Sequence, residues 1–133
     1  MPLTYYTDNA LINQLFGNTA YSTPTTYYFG LSTSAPAQGG TGVTEPSGNG
    51  YARVAVTNNT TNFPAASNGS KTNGTAITFP TSTGSWGTVS YFVIYDASSA
   101  GNLIAYGALN NPQTVSSGDT LSFAANAITF TLN

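Results

Sequence analysis

Apolar residues recur along this chain with two different periods. Residues 8–17, DNALINQLFG, space Leu11, Ile12, Leu15 and Phe16 three and four positions apart, as one helix face requires. Asp8 is placed to cap the free N–H groups at the start, and Gly17 to take a left-handed closing position. The spacing predicts one short amphipathic helix, preceded by the aromatic pair Tyr5 and Tyr6. From residue 25 onward the period is two. Within 25–33, Tyr27, Phe29 and Leu31 share a face; within 51–57, Ala52, Val54 and Val56 point inward and Tyr51 and Arg53 outward. The runs 75–80, 88–96, 102–109, 119–123 and 127–132 bring the expectation to about seven strands. Segment 88–96 is apolar on both faces, Phe92 and Ile94 opposing Tyr91, Val93 and Tyr95, which predicts a central strand buried on both sides.

Short strands at regular spacing predict an all-β fold, an antiparallel β-sandwich or jelly-roll-like domain with a short N-terminal helical arm. The expected division is an arm over 1–20 and one β-sandwich domain over 21–133. A helix packed on its own domain is an equal alternative to an arm that reaches outward. Two long loops stand out, 34–50 and 58–74, the second holding two of the three Asn-Gly pairs, which favour turns with positive φ. Loops of that length in a compact domain are usually functional or contact a partner.

Composition narrows the chemistry. The chain has 133 residues, 40% hydrophobic and 13% aromatic, but only 5% charged, against roughly 25% in an average soluble protein. It has no His and no Cys, which excludes a Ser–His–Asp triad, a Cys nucleophile, a His/Cys zinc site and any disulfide. Arg53 and Lys71 are the only basic residues and the net charge is −2, so neutralising a nucleic-acid backbone is out of reach. The N-terminus MPLTYY lacks the features of a signal peptide, and no apolar run approaches the ~18 residues of a membrane helix. The expectation is a soluble compartment and no membrane partner.

Four carboxylates remain: Asp8, Glu45, Asp96 and Asp119. Asp8 reads as a helix cap, Asp119 as a turn residue after Gly118, and Asp96 as the end of the central strand. Only Glu45 is unexplained, and one acid without a partner is not an active site. Lys71 lies in an Asn/Gly loop, where it would stay solvated. No catalytic residue, metal site or cofactor is expected. Arg53 has two readings, a contact to a partner carboxylate or an internal ion pair with Glu45 or Asp96; the planar guanidinium favours the internal pair. Trp86, between glycines before the central strand, is either core or an interface anchor. Tyr5, Tyr6, Tyr21 and Tyr51 suit an interface, since tyrosine offers large area at low entropy cost. A near-neutral β domain also lacks the charges that guard strand edges, so its own arm or other chains must cover them.

The succession TTYYFGLSTSAP, GVTEPSGNGYARVAV, ITFPTSTGSWGTVSYFVIYDA, GNLIAYGAL and VSSGDTLSFAANAITFTL resembles a group of small bacteriophage virion proteins. These are labelled head-decoration (cement) or tail-fibre-like proteins, and the likeness covers about residues 27–132. Its linked pieces are E-x-x-G-x-G-Y-A-R, F-P-x-x-T-G-x-W-G-T-V and S-G-D-T-L-S-F; here Pro46 follows Glu45 where the group usually has a small or β-branched residue. The resemblance implies a structural role and no catalytic residues. Together with the residue reading it predicts a decoration protein on the outer capsid surface, bound to the major capsid protein and associating with itself as a homotrimer. Tyr5, Tyr6, Leu11, Phe16 and Tyr21 are the expected contacts. The alternative is a fibre or adhesin module that binds a host-surface glycan. A pilin-like or surface-layer subunit ranks third, for want of a signal peptide.

Overall fold

A computed structural model describes residues 1–132. One helix, α1 (Tyr5–Leu15), precedes eight strands: β1 (Thr26–Ser32), β2 (Val54–Thr57), β3 (Ser70–Thr72), β4 (Ile77–Thr78), β5 (Gly87–Tyr95), β6 (Leu103–Val115), β7 (Ser122–Phe123) and β8 (Thr129–Thr131). Every strand pair is antiparallel. The fold is all-β with a short N-terminal helix.

The main sheet has the order β2-β1-β5-β6, and two ribbons, β3-β8 and β4-β7, complete the strands. Alternation in β1 sends Phe29 and Leu31 into a core shared with Phe92 and Ile94 of β5, Ile104 of β6, Ile77 of β4 and Ile128 beside β8. The ribbons thus cover one face of the sheet as a second layer. On the opposite face Val93, Tyr95, Leu103 and Tyr106 form a smaller cluster with Tyr28 and Val43. β5 therefore lies in the middle of the sheet and is buried on both faces, as its apolar run predicts.

Several local expectations change. β3 lies inside the segment read as a loop over 58–74, and β6 continues to Val115 rather than ending at 109. β2 begins only at Val54, so the alternation expected from 51 does not reach that far. Ala52 is exposed, while Tyr51 packs on Phe79 and edge-on against Trp86 at 5.3 Å between centroids. Trp86 is buried core, its indole N–H donating to Asn49 O at 2.9 Å.

The Asn-Gly pairs divide. Asn68 and Gly69 take φ of 53° and 74°, and Ser67 and Ser70 exchange backbone hydrogen bonds across them in a tight two-residue turn. Asn73 is instead buried and works as a brace. Its amide donates to Thr75 O and Ala124 O, and its side-chain oxygen accepts from Ile128 N, each at 2.9 Å. It ties the end of β3 to the start of β8.

Candidate functional site

The N-terminal segment is docked on the free edge of β6. Tyr106 N donates to Pro2 O, Leu3 bridges Ala105, and Thr4 N donates to Ile104 O at 3.1 Å. The Thr4 hydroxyl donates to Leu103 O and the Thr7 hydroxyl to Ile104 O at 2.8 Å. Tyr5 N donates to Gln38 O in the 34–50 loop. The first residues of the chain thus cover part of an edge that carries no charged guard.

These bonds correct the expected helix start. The helix opens at Tyr5, and the N-cap residue Thr4 makes no side-chain cap: its hydroxyl, like that of Thr7, donates to β6 carbonyls instead. Asp8 lies in the first turn rather than at the cap, where its charge still faces the positive end of the helix dipole. Gly17 does take a positive φ, 124°, and Asn18 follows at 54°.

Docking through two threonines turns the helix over. Thr7 is its buried residue, whereas Tyr5, Tyr6, Ile12, Leu15 and Phe16 are exposed, Leu15 at 71% and Phe16 at 78%. At 100° per residue, Tyr5, Asp8, Ile12, Leu15 and Phe16 fall within roughly one 100° stripe, and Leu11 lies outside it. Leu11 and Tyr21 are half-buried. Tyr21 N donates to the Gln14 side chain at 2.9 Å, folding the chain back after the helix. Burial, with smaller contributions from Tyr27, Tyr6 and Asp96, pushes the Tyr21 hydroxyl up to about 12. Of the five expected contacts, Tyr5, Tyr6 and Phe16 are therefore open to a partner, and Ile12 and Leu15 join them.

Beside the root of the helix the surface opens into an apolar cleft of about 410 Å³. Tyr27, Phe29, Ile94 and Ile104 contribute to it from the main sheet, Phe63 from the 58–74 segment and Phe130 from β8. Phe63 is the hub, stacked on Phe29 at 6.4 Å and edge-on to Tyr27 at 6.0 Å and Phe130 at 5.6 Å. Lys71 is the one charged side chain in the lining among the described residues. No signal in the sequence marks this cleft, because its walls come from segments far apart in the chain.

A second recess is polar. Val89 and Tyr91 of β5 pair with Gln113 and Ala108 of β6, so a two-residue step faces a five-residue step, and β6 bulges by three residues. The bulge carries Asn110 and Asn111 to the rim of a groove of about 480 Å³, with Gln113, Thr120 and Ser122 around it and Phe123 in its wall.

Glu45 and Arg53 form a structural node on the opposite face of the sheet. Arg53 Nη2 donates to Glu45 Oε1 at 2.6 Å and Nε reaches both carboxylate oxygens, while Nη1 donates to Ala97 O and Ala100 O. The guanidinium also lies on the Tyr95 ring. Tyr51 donates to Glu45 Oε2 at 2.6 Å and accepts from Leu31 N, and its own ionisation is pushed far up by burial and then by the bond to Glu45. Gly30 makes room, since a Cβ there would stand 2.8 Å from the Tyr51 hydroxyl. Asp96 is not part of this pair: its carboxylate accepts from Asn102 N and Nδ2 and closes the β5–β6 turn. Asp119 likewise accepts from Ser116 N in the turn before β7. The four carboxylates are thus dispersed, and no metal-holding cluster forms among the described residues.

A helix that turns large apolar residues outward from a small antiparallel β module gives the domain an exposed apolar surface of the kind that marks interaction sites. The chain belongs to the family described as Podophage GP4 fiber I protein gp80, whose model matches residues 2–131. It is accordingly a bacteriophage structural protein of a small, fibre-like virion family. No curated protein matches it.

Proposed function

We propose that the protein decorates the outer surface of the phage head, as a homotrimer that binds the major capsid protein and stabilises capsomer junctions, without catalytic activity. The observation that carries this reading is the helix α1 stripe: large apolar residues held open to solvent on a helix that is itself hydrogen-bonded to the domain. Such a surface is costly in a free monomer and is covered in an assembly. Binding only the assembled shell stabilises that shell by mass action.

Copy number per virion, measured by quantitative mass spectrometry against the major capsid protein, tests the role. Decoration requires numbers comparable to the capsid protein, or one trimer per three-fold position. With two basic and four acidic residues, attachment should also persist at moderate salt, and release there would count against decoration.

The second reading is a fibre module that binds a host glycan. The family description favours it, as does the groove over the β6 bulge, where uncharged amides and hydroxyls beside Phe123 match sugar hydroxyls and a ring face. A handful of copies per particle would select it.

A further inference from the structure

The exposed stripe of α1 and the cleft beside its root are complementary. The stripe presents Tyr5, Ile12, Leu15 and Phe16 with a single charge, Asp8. The cleft presents Phe63, Phe130 and other apolar side chains with charge of the opposite sign only: Lys71, the one charged side chain of its lining, and the Met1 ammonium, which is bonded to Thr131. Charge is scarce enough for this to carry weight. Arg53 is held by Glu45, Asp96 by Asn102 and Asp119 by Ser116 N. Lys71 and Asp8 are then the charged side chains that make no ion pair or side-chain hydrogen bond among the described residues.

A chain cannot satisfy itself in this way. The start of α1 is fixed to Leu103 and Ile104 by Thr4 and Thr7, and eleven residues carry its far end roughly 16 Å along the axis. Leu15 and Phe16 stay exposed there. The cleft volume, about 410 Å³, lies in the ~300–1,000 Å³ range of sites that bury a sizeable apolar ligand.

We propose that the cleft receives helix α1 of a second copy of this chain. Ile12, Leu15 and Phe16 of one subunit enter between Phe63 and Phe130 of the next, and Asp8 faces Lys71. The mode is an amphipathic helix in a groove. In the homotrimer the contact repeats head-to-tail, helix of one subunit to cleft of the next, and closes into a ring of three. This interface rests on the homotrimer put forward above and gives it its geometry.

The purified full-length protein is measured by analytical ultracentrifugation, with circular dichroism as the check on folding. Wild type should sediment as a trimer. The variant L15D/F16D, on an exposed surface, and A66W, which fills the cleft from its exposed rim, should each be folded monomers. D8K and K71D should each weaken assembly about three- to fivefold, the scale of one exposed pair, and the double variant D8K/K71D should restore it. A wild-type monomer at all concentrations would overturn the interface. So would trimers that persist in both L15D/F16D and A66W. Trimers of L15D/F16D that no longer attach to virions would assign the helix to the capsid protein instead. Copy number per virion is read independently, so decoration can stand while this interface falls.

Discussion

The guanidinium carbon of Arg53 stands 3.7 Å from the centroid of the Tyr95 ring, at the end of the central strand. The same group is bidentate to Glu45 and caps two carbonyls of the 97–100 turn. One arginine therefore fastens the 34–50 loop, the segment before β2 and the β5–β6 turn together. Its side chain is 7% exposed and that of Glu45 22%, so the pair is screened by solvent from the carboxylate side only. Glu45→Ala should cost about 3–5 kcal/mol, the scale of a buried charge left without its partner. Arg53→Lys should lose less but still lower the urea midpoint, because an ammonium cannot reproduce the fork.

Asn73 predicts a second weak point. It is 1% exposed, and its side chain satisfies three backbone groups. Asn73→Ala should destabilise by about 2–4 kcal/mol, because those groups stay buried without partners. Chemical denaturation measures this, and an unchanged midpoint would show that water replaces the amide.

High pH should unfold the domain. Burial raises the ionisation of Tyr21, Tyr27, Tyr51 and Tyr95 above the usual value of 10.0. A raised tyrosine keeps its proton in the folded state after the unfolded chain has lost it. The stabilisation is therefore complete below pH 10 and falls as pH rises from there through the folded values, about 12 for Tyr21. Tyrosinate absorbance should show Tyr21, Tyr27, Tyr51 and Tyr95 ionising above pH 10 and together with loss of structure. A single transition near 10 with the fold intact would contradict this.

Replacing Thr4 and Thr7 with valine keeps their shape and removes the hydroxyl bonds to Leu103 and Ile104. The loss should be about 1 kcal/mol per bond. Amide exchange at Tyr106, which donates to Pro2 O, should accelerate as the arm frays, while the β5 amides in the sheet centre stay protected.

Those threonines also mark the limit of what the sequence pattern encodes. The alternation of Tyr27, Phe29 and Leu31, and the two-sided burial around Phe92 and Val93, are legible because period two maps directly onto the faces of a sheet. The helix was legible as an element but its orientation was not. Four apolar residues on one helix face fit an outward arm and a packed helix equally, and what decides is two hydroxyls bonded to edge carbonyls, which set the opposite face inward. β3, Ser70–Thr72, has no apolar residue to signal a strand, and it forms because β8 offers it a ladder. The Arg53–Glu45 pair could be anticipated because so few charges compete. Asp96 could not be told from Glu45 as a partner, since the deciding fact is the Asn102 amide across the turn. The apolar cleft depends on six separate places in the chain meeting, which no local pattern encodes.

The ammonium of Met1 donates to the Thr131 hydroxyl at 3.3 Å, so the two extremities of the described chain meet beside β8. The chain is therefore close to a closed circuit, and where that circuit is cut matters little to its strand pairing. Gly39 and Gly40 lie in the 34–50 loop with nothing within 4 Å of where a side chain would start. Joining the old ends with a short linker and opening new ones between those glycines would give a circular permutant with every strand pair intact. A passenger peptide carried on such a permutant would emerge from the 34–50 loop rather than from beside β8.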